Sequence, residues 1–367
     1  MIEGALQLDA IADAIGPLDG DAMADAARRL DRLTKPPGSL GRLETLAMEL
    51  AGIRGELVTS IDRPAIAVFA GDHGITAQAV SAYPSDVTRQ MVANFASGGA
   101  AINVLSRAAG ADLVVVDVGV AGADPVPAAS ATDGGSRLVS ARVRDGTRDF
   151  SVEHAMTPAE TAAAIRVGSS IAAELVEAGC DLLGVGEMGI GNTTAASAIV
   201  AALTGRPAID VTGRGTGLDD AGVRHKAAVI DAALALHRPD ANRPLDVLAA
   251  VGGLEIAALV GAILGAAAAR TPVVLDGFIT GAAALVAARL APNLPARLIA
   301  SHRSSEPGHA VVLGELGLEP ILDLGLRLGE GSGAALAIPV IRSAARLLGD
   351  MATFESAGIS DRDQATR

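Results

Sequence analysis

Two glutamates set among glycines are the residues of this sequence best suited to chemistry. Glu187 lies in the stretch from Asp181 to Ser197, and Glu330 has a glycine on each side. A carboxylate beside glycine gains little from packing, so contact with a ligand is its simplest purpose. Apolar neighbours such as Met188 and Leu328 would remove water from these carboxylates. Such burial raises the pKa of a carboxyl group toward neutrality and lets it act as a general base.

The residues that follow Glu187 have the order of an anion-binding turn. Glycines lead into a polar start and then an alanine-rich helical segment: Gly189, Gly191, Asn192, Thr193 and Thr194. Glycines let backbone N–H groups face a ligand, and a helix start adds unpaired donors and partial positive charge. Glu187 would repel a phosphate there, so it is better placed to accept a hydrogen bond from a hydroxyl or a ring N–H. A glycine-rich turn without a ligand is the alternative.

A second glycine-rich loop is predicted from Asp210 to Asp219, with Gly213 and Gly215 within it. Lys226 follows in a helical segment and is one of only two lysines in the chain. Lysine is a compact charge for phosphate, although by itself this lysine is better explained as an ordinary surface residue. Two such loops and one lysine together favour a site for a small phosphorylated sugar or nucleotide.

Composition limits the class of partner. The 367 residues carry a net charge of −13 and include no Trp, one Tyr and five Phe. This acidic, aromatic-poor chain is unsuited to nucleic acid. The single cysteine, Cys180, suits a reducing cytoplasm and is expected to be buried. Ile256–Ala269 is apolar but shorter than the roughly 20 residues of a membrane span, so a buried helix is predicted.

From residue 64 onward, short β-rich runs alternate with longer helical ones, which predicts an α/β fold with a parallel sheet. The predicted strands are Ala65–Ala70, Leu113–Val118, Leu182–Val185, Val273–Leu275 and Arg297–Ala300. Polar residues at their carboxyl ends are expected to surround one pocket: Asp72, His73, Asp117, Glu187, Asp276, Ser301 and His302. Because some such residues only cap helices, about half are expected to touch ligand.

The remainder is predicted to be helical at both ends. Helices are expected at Asp21–Leu33, at Leu40–Ile53 with Ser39 as N-cap, and at Ala335–Leu348. Residues 121–150 are predicted to be a long loop. The predicted organisation has three parts: a small domain of residues 1–58 with the C-terminal helix, an α/β core of residues 59–349, and a polar tail of residues 350–367.

Other motifs give weaker signals. Gly184, Gly186 and Gly189 match G-x-G-x-x-G, with Asp210 about twenty residues on, so a dehydrogenase that uses a nicotinamide dinucleotide is an alternative. No Gly-Lys pair occurs, which excludes a P-loop, and the six histidines lack metal-ligand spacing. His73 and His302 are ligand or base candidates, or hydrogen-bonded scaffold residues. A non-catalytic nucleotide-binding protein is a third hypothesis. No metal and no cofactor is predicted.

Six segments, in this order along residues 20–349, carry a resemblance to one family: T-K-P-P-G-S-L-G-R-L-E, A-G-D-H-G-I-T, Y-P-S-D-V-T-R-Q-M-V-A-N-F-A-S-G-G-A-A-I-N-V-L, G-V-G-E-M-G-I-G-N-T-T, V-V-L-D-G-F and R-L-G-E-G-S-G-A-A-L-A. The chain closely resembles the nicotinate-nucleotide–dimethylbenzimidazole phosphoribosyltransferases, the CobT family of cobalamin synthesis. The resemblance implies transfer of phosphoribose from nicotinate mononucleotide to 5,6-dimethylbenzimidazole, which gives α-ribazole 5′-phosphate and nicotinate.

The resemblance also implies roles and a fold. Glu330 corresponds to the general base, Glu187 to a second site glutamate and Lys226 to the phosphate-side lysine. The implied fold is a Rossmann-like, mostly parallel sheet flanked by helices, with a small helical domain, in a cytoplasmic homodimer. Tyr83 and Met91 stand where some members carry Ser and Gln in the pocket for the acceptor base. This difference affects which base is accepted, and not the reaction.

Overall fold

A parallel sheet organises the protein. The computed structural model describes residues 2–122 and 136–360, and within them six strands pair in the order β3-β2-β1-β4-β5-β6. The strands are β1 Pro64–Gly71, β2 Asp112–Gly119, β3 Arg137–Ser140, β4 Leu182–Met188, β5 Val273–Leu275 and β6 Leu298–Ala300. Every pairing is parallel. Because the strand order reverses between β1 and β4, the loops beyond these strands diverge and leave a crevice.

Helices cover both faces of the sheet. They are α1 Ile2–Asp13, α2 Gly20–Asp31, α3 Arg42–Arg54, α4 Asp86–Ala96, α5 Ala101–Ala109, α6 Pro158–Glu177, α7 Asn192–Thr204, α8 Ala208–Val211, α9 Asp220–His237, α10 Pro244–Val251, α11 Leu254–Ala268, α12 Phe278–Leu290, α13 Pro307–Leu316, α14 Ser332–Asp350 and α15 Phe354–Ala357. Two 3₁₀ helices span Gly74–Gln78 and Leu294–Arg297.

Alternation along β1 shows why the sheet has helices on both sides. Ala65, Ala67 and Phe69 belong to the core beneath α6, α7, α11 and α12, whereas Ile66 and Val68 belong to the core beneath α3, α5 and α14. Successive strand residues point to opposite faces, so a strand that is apolar throughout must be buried on both. The predicted α/β fold and all five predicted strands are confirmed.

The predicted buried helix near Ile256 is also confirmed. It is α11, and its residues are buried between α6 and α12. Cys180 is buried, as expected. Among the described helices, none combines the length and apolar character that a membrane span requires.

The loop predicted at residues 121–150 is wrong in part. Arg137–Ser140 forms β3, which pairs with β2 at the sheet edge. Its residues are only partly buried or exposed, so the strand lacks the apolar run that identified the others. Residues 123–135 of the predicted loop lie outside the described residues.

Two predicted boundaries also need correction. Ser39 is not the N-cap of α3, because Gly41 occupies that position and Glu44 accepts the N–H groups of Gly38 and Leu40 instead. The second glycine loop begins later than predicted, since Asp210 lies in the short helix α8.

The two ends of the chain pack together. Helix α14 contacts α2 and α3, and Arg29 Nε donates to the carbonyl of Leu348 at 3.2 Å. Leu33 forms an isolated antiparallel bridge with Thr353, inside the predicted polar tail. Residues 361–367 of that tail lie outside the described residues. The division into a small helical domain and a core stays a prediction.

Candidate active site

A cavity of about 520 Å³ lies at the carboxyl ends of the strands, and both predicted glutamates line it. Glu187 is the second-last residue of β4, and Glu330 lies just before α14. Twelve of the residues predicted from the sequence line this cavity: Tyr83, Met91, Glu187, Met188, Gly189, Asn192, Thr193, Gly215, His302, Leu328, Gly329 and Glu330. The strand ends therefore position most of the predicted site around one space.

Glu330 is held in a strained turn. Its φ is +63°, in the left-handed region that residues other than glycine rarely occupy, and its N–H donates to the carbonyl of Glu187 at 3.2 Å. Asp276, directly after β5, accepts the N–H groups of Gly331 at 3.1 Å and of Gly333 at 2.6 Å. Strain of this kind persists only where the surroundings hold it, and here the Asp276 carboxylate holds the turn.

Glycines allow the two glutamates to approach. A Cβ on Gly186 would collide with the backbone N of Gly331, and a Cβ on Gly329 would collide with the Glu187 carboxylate. The Glu330 turn thus rests directly on β4. The glycines near both carboxylates therefore allow this close contact between the strand and the turn.

Burial raises the pKa of the carboxyl groups at this site. Glu330 is 5% exposed, its Oε2 has no hydrogen-bond partner among the described residues, and burial raises its pKa. Burial also raises the pKa of Glu187 well above its usual value, and the nearby Asp276 and Glu255 carboxylates add to this. Asn192 Nδ2 donates to Glu187 Oε2, which opposes the shift. Burial raises the pKa of Asp276 to about 7, against the backbone donors that lower it.

Five of the apolar side chains that line the cavity are grouped under one name, the apolar wall: Tyr83, Val87, Met91, Met188 and Leu328. Val87 and Met91 lie on α4, and Met91 and Met188 pack against the same core cluster. Tyr83 and Leu328 are each more than half exposed. The wall suits a flat, apolar ring. Glu330 lies two residues after Leu328 in the sequence.

Another side is polar, and we call it the polar wall: Thr193, Gly215, Ser304 and Glu306, with Lys226 behind Thr193. Lys226 is fully buried, and its Nζ donates to Thr193 Oγ1 at 2.7 Å. Burial lowers the pKa of Lys226 to about 8, and the Glu306 carboxylate opposes that shift. A buried cation, a helix start and a glycine loop are the components of a monophosphate site.

The remaining predicted residues support the cavity without lining it. Gly191 is the N-cap of α7 at φ +96°, Thr194 is fully buried, and Gly213 packs on Glu306. Ser301 Oγ donates to the carbonyl of Asp276 at 2.8 Å. Asp276 itself holds the Glu330 turn, as described above.

Asp72, His73 and Asp117, at the carboxyl ends of β1 and β2, do not line the cavity. His73 is buried in a 2.6 Å contact with Glu255, which fits the scaffold interpretation of this histidine. Asp72 accepts the N–H of Ala121, and Asp117 accepts that of Val120. Burial lowers the pKa of His302, which does line the cavity.

The structure adds residues that sequence reasoning missed: Val87, Ile190, Thr216, Gly277, Phe278, Ile279, Ser304, Glu306 and Arg327. Ser304 and Glu306 follow β6 and precede α13, so their place after a predicted strand was the one available signal. Most of the others lie within the family segments or the second glycine loop described above, but their residue types gave no separate sign of a role.

The dinucleotide fingerprint does not have the required geometry. Gly184 and Gly186 lie inside β4 rather than in the turn after it, and Asp210 is exposed in α8. In a dinucleotide fold the glycines form the strand-to-helix turn that faces the pyrophosphate. The dehydrogenase alternative therefore has no support at this site.

Comparisons with known proteins agree with the geometry. A family model described as "Phosphoribosyltransferase" matches residues 15–359. The nicotinate-nucleotide–dimethylbenzimidazole phosphoribosyltransferase of Chloroflexus aggregans is 55% identical over 351 residues, which cover 96% of this chain and 97% of that protein. The crystal structure of the enzyme of that name from Thermus thermophilus is similar with a TM-score of 0.86 at 46% identity, and covers 94% of this chain and 100% of that one.

Proposed function

We propose, because this chain belongs to the nicotinate-nucleotide–dimethylbenzimidazole phosphoribosyltransferase family, that Glu330 is the general base of its phosphoribosyl transfer. The nucleotide donor is nicotinate mononucleotide and the acceptor is 5,6-dimethylbenzimidazole. The observation that carries the assignment is a buried Glu330 carboxylate with an unpartnered Oε2, among the described residues, in the cavity shared with Glu187.

The reaction needs one proton to be removed and one bond to be exchanged. Glu330 takes the N–H proton of the benzimidazole, and the other ring nitrogen then attacks the anomeric carbon. Nicotinate leaves from the opposite face as a neutral pyridine, so the β-linkage becomes α. Because the leaving group is already a pyridinium, a positioned base suffices.

The two walls support separate positions for the two substrates. The apolar wall covers the faces of the benzimidazole and brings its N–H to Glu330, which is two residues from Leu328. The polar wall holds the 5′-phosphate through the Lys226 ammonium and the Thr193 hydroxyl. Glu187, whose Oε2 accepts from Asn192 Nδ2, lines the same cavity and orients the nucleotide.

We further propose that the enzyme acts in the cytoplasm as a homodimer. A single buried cysteine fits a reducing compartment. The exposed Tyr83 and Leu328 at the cavity fit a site that a second copy of the chain covers.

The direct test is an assay with nicotinate mononucleotide and 5,6-dimethylbenzimidazole that follows α-ribazole 5′-phosphate. Glu330→Gln keeps the shape and removes the base, so kcat should fall by roughly 10²- to 10⁴-fold while nucleotide binding persists. Glu319→Gln, an exposed change near α13, serves as the control. Near-normal turnover of Glu330→Gln would remove this residue as the base. Nucleotide binding without nicotinate release by the unaltered chain would support a non-catalytic binding protein instead.

A further inference from the structure

One carboxylate oxygen of Glu306 accepts a hydrogen bond, and the other has no hydrogen-bond partner among the described residues. Its Oε1 accepts the N–H of Gly215 at 2.9 Å. Its Oε2 is buried and has no hydrogen-bond partner among the described residues. The residue is 6% exposed and lines the cavity. An unpaired buried carboxylate oxygen costs free energy, so its presence in a cavity indicates a ligand that donates a hydrogen bond.

The segment around Glu306 is fixed. Ser304 Oγ accepts the N–H of Glu306 at 3.3 Å, and the N–H of Ser304 donates to His309 Nδ1 at 2.9 Å. The N–H of Ser305 donates to the carbonyl of Leu326 at 3.1 Å. A Cβ on Gly213 would collide with the free oxygen, so the loop backbone is pressed against the carboxylate. The oxygen therefore stays in place.

Lys226 Nζ donates to Thr193, and no hydrogen bond joins it to this oxygen among the described residues. Nor does phosphate suit it, since two negative groups repel. On nicotinate mononucleotide at neutral pH, the phosphate and the nicotinate carboxylate only accept hydrogen bonds, and the pyridinium has no N–H. The two ribose hydroxyls are the only donors left. The single N–H of the benzimidazole belongs to Glu330 in the proposed reaction.

We infer that Glu306 recognises a ribose hydroxyl of the nucleotide, an inference that rests on the proposed function. Lys226 and Thr193, the proposed phosphate-binding groups, lie against Gly215, whose N–H donates to Glu306. The 3′-carbon adjoins the carbon that carries the phosphate arm, whereas the 2′-carbon adjoins the reacting anomeric carbon. The 3′-hydroxyl is therefore the nearer partner. Glu306 is a specificity residue that distinguishes ribose from deoxyribose.

The experiment compares nicotinate mononucleotide with its 2′-deoxy and 3′-deoxy analogues. For the unaltered enzyme, kcat/KM should be roughly 10- to 100-fold lower for at least one analogue, with the 3′-deoxy compound the poorer, because a buried charge loses its donor. In Glu306→Gln the amide keeps an acceptor for Gly215, while the other position becomes a donor. The preference for the ribonucleotide should then shrink to about threefold or less.

Three results would overturn the inference. The first is an equal kcat/KM for the ribonucleotide and both deoxy analogues in the unaltered enzyme. This measurement does not depend on whether a variant folds. The second is an unchanged preference in Glu306→Gln. The third is tighter inhibition by inorganic phosphate in that variant without a change in preference, which would make Glu306 only a counter-charge to Lys226. Glu306→Asp, which keeps the carboxylate, and Glu319→Gln, which changes an exposed carboxylate, serve as the matched control variants. Formation of product from the ribonucleotide tests the proposed function separately.

Discussion

The two walls of the cavity are built in different ways. The apolar wall includes long, unbranched side chains such as Met91 and Met188, and two other members, Tyr83 and Leu328, are more than half exposed. The polar wall consists of buried or half-buried groups, most of which are hydrogen-bonded within the protein, such as Lys226 to Thr193 and Gly215 to Glu306. A flexible apolar wall discriminates among ligands weakly, by size, whereas fixed polar groups reject any ligand that leaves them unpaired. The enzyme should therefore be tolerant toward its acceptor base and strict toward its nucleotide.

One loop joins the walls. Thr216, beside Gly215, accepts the N–H of Ala82 at 3.1 Å, next to Tyr83. Arg327 Nη1 donates to the carbonyl of Gly215 at 3.1 Å, next to Leu328. A nucleotide that orders this loop therefore also fixes the position of the apolar wall. The two walls are thus parts of one continuous structure.

Between the two walls, the largest effect is expected from loss of the buried cation of the polar wall. Lys226→Met keeps most of the volume and removes the charge, so kcat/KM for nicotinate mononucleotide should fall roughly 10²-fold. The KM for the benzimidazole should change little. Steady-state kinetics with each substrate varied in turn measures both quantities.

The other lysine provides the control. Lys35 is also buried, and its Nζ lies 2.8 Å from Glu44 Oε1, away from the cavity. Lys35→Met should lower the melting temperature and leave both KM values unchanged. A nucleotide defect of equal size in Lys35→Met would show that loss of any buried lysine disturbs the fold, and the polar wall would lose its special role.

Most of the strands and both glutamates of the site could be predicted from the sequence. Strand positions followed from apolar runs such as Ala65–Ala70, and the glycines around Glu187 and Glu330 marked both carboxylates because local composition decides such turns. β3 could not be predicted, because an edge strand of four partly exposed residues lacks the pattern of a buried one.

Long-range partners were also beyond the sequence. Glu306 belongs to the site because β6 and α13 carry it to Gly215, which lies 91 positions earlier in the chain. Asp276 was predicted to touch ligand, yet its carboxylate holds the Glu330 turn 55 positions later. No local pattern encodes such distances, because the sheet order sets them.

A smaller effect is expected from pH. The pKa of Lys226 is lowered from 10.5 to about 8 by burial, so the ammonium proposed to bind phosphate is lost as pH rises through about 8. Above that value kcat/KM for the nucleotide should fall about tenfold per pH unit, since this ratio reports the free enzyme. Bound phosphate favours the charged lysine, so kcat at saturation should stay level over the same range. In Lys226→Met the alkaline decline should vanish. A decline that persists in the variant would assign it to another group.

The smallest effect is expected at the apolar wall. Met91→Ala removes part of the surface that would cover the benzimidazole. With about 25 cal/mol for each Å² of apolar ring surface left open to water, the KM for the acceptor should rise roughly 3- to 10-fold. The KM for the nucleotide should stay constant. Met48→Ala is a matched control, because Met48 packs on the same core cluster as Met91 but lies on α3, outside the cavity lining. If Met91→Ala instead weakened nucleotide and acceptor equally, the two walls would act as one unit through the Thr216 loop. The loss of either wall would then cost the enzyme both substrates.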